Sequence, residues 1–137
     1  MHFVSIRLIA ILFNFFQKRS IERSKYYQWT FFIASTVDEV VTNYLLNVFL
    51  LPEEQRNKQV AEDCHKKFVE KIVPVLEEQL KKTKWLLSDE FSAVDVILAY
   101  SIANADKVGL LKGQEVLVEY IKRCYERPAY LATYGGN

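Results

Sequence analysis

Apolar side chains recur at helical spacing through most of this chain, and no stretch alternates as a half-buried strand does. From about Ser20 to Leu50, the positions Val37, Val41, Tyr44, Leu45 and Val48 follow the i, i+3, i+4, i+7 rule and predict one long helix. Tyr27, Trp29, Phe31 and Phe32 widen its first half beyond a single stripe. A helix that is apolar on two faces is central in a bundle or lines a pocket. Pro52 then breaks the chain, and LPEEQR opens a third segment whose inward side is Val60, Cys64, Phe68, Ile72, Leu76 and Leu80. Its outward side pairs charges four residues apart, acid first: Glu62 with Lys66, Asp63 with Lys67, Glu77 with Lys81 and Glu78 with Lys82. Each such pair supports a helix by a few tenths of a kcal/mol, so these lysines read as a solvated face. Pro74 lies inside this pattern, removes one hydrogen bond and crowds the preceding turn, which predicts a kink or a break.

Trp85, Leu86 and Leu87 form an apolar link to the stretch FSAVDV, residues 91 to 96. A fourth helix is expected from Ala93 to about Lys107, ended by Gly109 in a left-handed position. A fifth begins near Gln114, with Leu117, Tyr120, Ile121 and Cys124 inward. Pro128 is a favoured first helical residue, so a short helix is expected over Ala129 to Thr133. In FSAVDV, Ser92 and Asp95 stand three apart, as in a capping box, with Asp replacing the more usual Glu or Gln. Phe91 and Val96 occupy the two positions of a hydrophobic staple. A catalytic role for Ser92 and Asp95 would need a histidine base, and none is near in sequence, so the motif reads as structural. On the cap alone, Asp95→Ala costs about 1–2 kcal/mol.

The first segment, residues 1–19, is the most apolar. Its run from Phe3 to Phe16 is shorter than the roughly 20 residues of a membrane span. It contains Arg7, and no small-residue cleavage site follows. It reads as a buried helix rather than a span or a leader. With 137 residues the chain suits one domain, and 4 Gly and 3 Pro leave little turn chemistry. A formal net charge of +1 gives no field that would draw nucleic acid or acidic lipid. Cys64 and Cys124 fit no metal or redox spacing, which reads as two reduced thiols in a cytoplasmic protein. Cys64 and His65 diverge by about 100° on a helix and cannot share a metal. No metal site is expected.

Several of these motifs, in this order, resemble the C-terminal domain of cytosolic glutathione transferases. WLLSDEFSAVDVILAYSIANADKVGLL is similar to that family's sixth helix and its approach. YIKRCYERPAY resembles the next helix and the Arg-Pro-Ala turn, and KYYQWTFFIAS the fourth helix of bacterial-type members. The likeness covers about residues 20 to 134 and implies an all-α bundle of five to six helices. AILFNFFQK resembles the last helix of the family's N-terminal thioredoxin-like domain, so residues 1–19 read as a remnant of it and residues 20–137 as the helical domain. In that alignment Arg7 and Leu8 replace the Glu-Ser pair that holds the γ-glutamyl end of glutathione. Asp38 and Glu39 fall where some bacterial members carry His and Lys beside the glutathione sulfur. Acidic groups there would oppose thiolate formation.

The thioredoxin-like domain carries the thiol-activating residue in this family, and this sequence does not contain it. No catalytic residue and no cofactor are therefore assigned. Glutathione is expected as a co-substrate only where an N-terminal domain is supplied. Three readings remain open. One is a transferase-like protein without conjugating activity of its own that binds apolar small molecules through Tyr27, Phe31, Phe32 and Tyr134. Another is a protein-docking module of the same fold. The third is part of an active transferase whose N-terminal domain is not in this sequence. The resemblance also implies a homodimer, with Leu8, Ile11, Leu12 and Phe15 expected in the contact.

Overall fold

The computed structural model describes residues 21–134. Among them, five helices, one short 3₁₀ turn at Glu53–Gln55 and no strand are found. The first, α1, spans residues 21–50 without interruption. It begins as an α-helix at Ile21–Phe32, widens to a π-turn at Ile33–Val37, resumes at Asp38–Leu45 and ends in a second π-turn at Leu46–Leu50. The helix α2 spans residues 58–80, again through a π-turn, at Phe68–Ile72, between Lys58–Lys67 and Val73–Leu80. Then follow α3 at Ala93–Lys107, α4 at Glu115–Tyr125 and α5 at Pro128–Tyr134. The expected helix over residues 1–19 lies outside the described residues.

The π-turn in α2 is the structure's answer to Pro74. The sequence predicts a kink or a break there, yet the chain remains helical from 58 to 80. A proline has no N–H to complete the usual i→i−4 ladder. In the turn before it, the Val73 N–H bonds instead to Phe68 O, one residue further back. The wider turn absorbs the missing donor, and both Phe68 and Ile72 are fully buried through it.

Helices α1 and α2 form an antiparallel hairpin, with the last part of α1 against the first part of α2. Side chains fix the corner between them. Arg56 donates to two carbonyls at the end of α1, Leu51 O at 2.7 Å and Phe49 O at 3.0 Å. Asn57 caps α2 by accepting from Val60 N–H at 3.2 Å, while its own N–H donates to Asn47 Oδ1 at 2.8 Å. Of the four charge pairs expected along α2, Lys81–Glu77 and Lys82–Glu78 form, at 2.9 and 2.7 Å. Asp63 accepts instead from Gln59, at 3.0 Å.

Helix α3 packs on α1 and on α4, and α4 packs on the end of α2. Val94, Asp95, Leu98, Ser101, Ile102 and Ala105 of α3 are all buried, at the spacing of one helical face. Gly109 ends α3 with φ +76°. Its N–H bonds to Asp106 O and the Leu110 N–H to Ala105 O, both at 3.0 Å, the paired bonds of a Schellman turn. Leu117, Tyr120, Ile121 and Cys124 of α4 close the core against α3 and the link that carries Trp85 and Leu86.

Candidate functional site

An open groove of about 420 Å³ lies between the first half of α1, the end of α2 and the link that follows it. Lys25, Gln28, Trp29 and Phe32 supply one wall, at i, i+3, i+4 and i+7 on α1. Val75, Gln79, Leu86 and Leu87 supply the other. The rings of Trp29 and Phe32 meet edge to face at 5.8 Å, which holds both in place. Gln79 does not turn its amide to the groove freely, because its Nε2 donates to Leu86 O at 2.9 Å and to Thr83 Oγ1 at 3.3 Å. The groove is thus apolar-walled, with one ammonium group, Lys25, at its edge.

Of the aromatic residues expected to line a pocket, Phe32 lines this one. Tyr27 does not: its hydroxyl accepts from Arg23 Nη2 at 3.2 Å, and its ring packs edge-on against Tyr26 at 5.6 Å. Phe31 turns outward and is 68% exposed. Adjacent helical residues diverge by about 100°, and here that turn sends Phe32 into the groove and Phe31 into solvent. The Tyr134 side chain lies outside the described residues. Trp29 was legible by its spacing from Phe32. Val75, Leu86 and Leu87 were not, because they come from elements brought together only by the hairpin.

Asp38 and Glu39 part company for the same reason. Asp38 turns toward α3, and its Oδ1 accepts from the hydroxyl of Ser101, a buried residue, at 3.0 Å. Glu39 is exposed. The two carboxylates therefore form no joint site. Arg7 and Leu8, and the expected dimer residues Leu8, Ile11, Leu12 and Phe15, lie outside the described residues.

A capping box joins Ser92 and Asp95. Asp95 Oδ2 accepts from the Ser92 N–H at 3.0 Å and from the Ser92 hydroxyl at 2.9 Å. The Asp95 N–H lies 3.1 Å from Ser92 O. The carboxylate reaches further than a cap requires. Its Oδ1 accepts from the Leu86 N–H at 2.9 Å and from the Tyr120 hydroxyl at 3.2 Å, so four donors meet one buried carboxylate. Burial, with the neighbouring Asp95 charge second, pushes the Tyr120 phenol far above its ordinary range. Burial also raises the Cys124 thiol to about 11. Such a thiol is held as a neutral core group.

The staple expected between Phe91 and Val96 is replaced by another contact. Val96 is 56% exposed. The ring of Phe91 instead meets Trp85 edge to face at 4.9 Å and carries the Arg127 guanidinium 3.4 Å from its centroid. The link folds Trp85 under the start of α3, and that places a larger apolar partner beside Phe91 than Val96 offers.

Among the described residues, no group of three His, Cys, Asp or Glu could hold a metal ion. No described helix is long and apolar enough to cross a membrane.

Known proteins resemble this chain over most of the described residues. The family model for the glutathione S-transferase C-terminal domain matches residues 39–128. Glutathione S-transferase GstB of Escherichia coli (strain K12) is 30% identical over 112 residues, which is 81% of this chain and 52% of that protein. The GstB of Escherichia coli O6:H1 matches to the same extent. The chain spans about half the length of these curated relatives. A solved structure, glutathione S-transferase III in apo form, superposes with a TM-score of 0.74 at 18% identity, over 88% of this chain and 57% of that one. At that identity the likeness speaks to the fold, an all-helical one that the five helices share. The chain belongs to the glutathione S-transferase C-terminal domain family.

Proposed function

We propose that this chain is the apolar-ligand-binding half of a glutathione transferase and that residues 21–134 do not conjugate glutathione by themselves. The observation that supports the reading is the groove walled by Trp29, Phe32, Val75, Leu86 and Leu87. Its lining is mostly apolar, its aromatic rings are mutually braced, and its polar side-chain groups are one ammonium and two amides. Such a surface favours a flat hydrophobic molecule. Thiol activation needs a donor aimed at the sulfur and a site that lowers its pKa. Of the two residues aligned beside the sulfur, Asp38 is engaged by Ser101 and Glu39 is exposed and acidic.

Two measurements test this. Titration with the apolar fluorophore 1-anilinonaphthalene-8-sulfonate is expected to saturate and to quench tryptophan emission, and Phe32→Ala is expected to weaken binding. Binding that is unchanged by Phe32→Ala removes the groove as the site. Purified protein with glutathione and an aryl halide is expected to give no turnover above the uncatalysed rate. Saturable turnover, blocked by a glutathione analogue, overturns the second half of the proposal.

Self-association as a homodimer is part of the same reading. It is supported by large apolar side chains left in solvent along α1, among them Phe31, Phe49 and Leu50. Sedimentation at micromolar concentration checks it, and a monomer at every concentration overturns it.

A further inference from the structure

Three cationic side chains surround the indole of Trp85. The Arg123 and Arg127 guanidinium carbons lie 5.7 and 5.8 Å from its centroid, and Lys84 Nζ lies 5.9 Å away. Among the described residues no carboxylate forms an ion pair with them. Among the described residues the ion pairs are Lys81–Glu77 and Lys82–Glu78, and neither involves these groups. Asp89, the acid closest in sequence to Lys84, spends Oδ1 on the Lys84 main-chain N–H, at 2.9 Å. Glu90, Glu119 and Glu126 form no ion pair with any of the three cations.

The donors of the two arginines are correspondingly underused. Arg123 Nη2 donates to Lys84 O at 3.1 Å, and its Nε is buried without a partner. Arg127 sits on the face of Phe91, 3.4 Å from the centroid, and its side chain makes no hydrogen bond within the described residues. Stacking covers the face of a guanidinium but leaves its in-plane N–H groups pointing outward. Like charges gathered on one indole repel, and the low polarity of the rings below them weakens screening. An anion relieves the repulsion and meets the outward N–H groups of Arg127, which is half-buried.

We propose that Arg123 and Arg127, with Lys84 at the rim, bind a phosphate-type oxyanion. A phosphate group offers several acceptor oxygens and up to two charges, which suits cations arriving from separate elements. A carboxylate is satisfied by one guanidinium fork. The site shares no lining residue with the apolar groove, so it stands independently of the function proposed above.

The test is a titration of the full chain, ¹⁵N-labelled, with inorganic phosphate at pH 7, against sodium chloride at matched ionic strength. The resonances followed are the arginine Nε–H groups and the Trp85 indole N–H. Saturable shifts at Arg123, Arg127 and Trp85 with phosphate and not with chloride are expected. Arg127→Lys keeps the charge and loses the planar fork, and is expected to weaken phosphate about tenfold. Equal responses to phosphate and chloride overturn the site, as does unchanged affinity in Arg127→Lys. If that variant does not fold, Lys84→Met, a change at an exposed position, is judged by the same criterion.

Discussion

The hydroxyl of Tyr120 donates to Oδ1 of Asp95 at 3.2 Å, joining α4 to the first turn of α3 across 25 residues of sequence. Both residues are fully buried. The same carboxylate holds the N–H of Leu86 and both donors of Ser92. A helix cap has thus become the point at which two helices and the preceding link are fastened together.

Asp95→Ala is expected to destabilise the fold by about 2–5 kcal/mol, more than the cap alone predicts. It removes the cap, leaves the Leu86 N–H buried without a partner at a cost of about 1–3 kcal/mol, and leaves the Tyr120 hydroxyl only the main-chain O of residue 95, at 3.3 Å. Ser92→Ala is expected to cost only about 0.5–2 kcal/mol. Urea denaturation of both variants checks the order. Equal losses would mean that the bonds to Leu86 and Tyr120 carry little.

Stability is expected to fall at high pH. The Cys124 thiol titrates near 9.0 when unfolded and at about 11 in the fold, and Tyr120 is raised further. Between those values the folded state binds more protons than the unfolded one, so stability declines as pH rises. It is fully present below pH 9.0 and is lost progressively toward about 11. Denaturation midpoints at pH 8, 9, 10 and 11 check the slope, and Tyr120→Phe is expected to flatten it.

Cys64 is expected to react with a thiol reagent in the native protein well before Cys124. Both thiols are raised by burial, but Cys64 is partly open and Cys124 is buried. Mass spectrometry of the singly labelled species identifies the site. Labelling of Cys124 first would require an opening of α4.

Phe31→Ser is expected to leave stability within about 0.5 kcal/mol of the parent and to leave dye binding unchanged, because the ring is 68% exposed. Phe32→Ala, one residue on, is expected to weaken dye binding and to lower stability. The pair separates the two faces of α1, and equal effects would refute the assignment of the groove.

Phe91→Ala is expected to cost about 2–3 kcal/mol, the sum of an aromatic pair with Trp85, a stacked guanidinium and lost burial. Val96→Ala is expected to change stability by less than about 0.5 kcal/mol, since that side chain is largely in solvent. A comparable loss at Val96 would restore the staple.

Helix positions and ends were legible in the linear order of residues because their causes are local. The period of Val37, Val41 and Tyr44, the cap at Ser92 and Asp95, the Gly109 turn and the Pro128 start each act over a few neighbours. The family likeness rests on the same short motifs. The tertiary structure alone decided which aromatic residues share a wall, because that depends on the hairpin that brings Val75 and Leu86 opposite Trp29 and Phe32. It also decided that Pro74 is absorbed by a π-turn, which keeps Phe68 and Ile72, the turn's first and last residues, buried. It turned Asp38 inward to Ser101 and left Glu39 outside. It gathered Lys84, Arg123 and Arg127 on one indole from two segments that are 39 residues apart at their hydrogen-bonded contact. Contacts of that separation are set by packing, in which each side chain answers to neighbours that its own stretch of sequence does not contain.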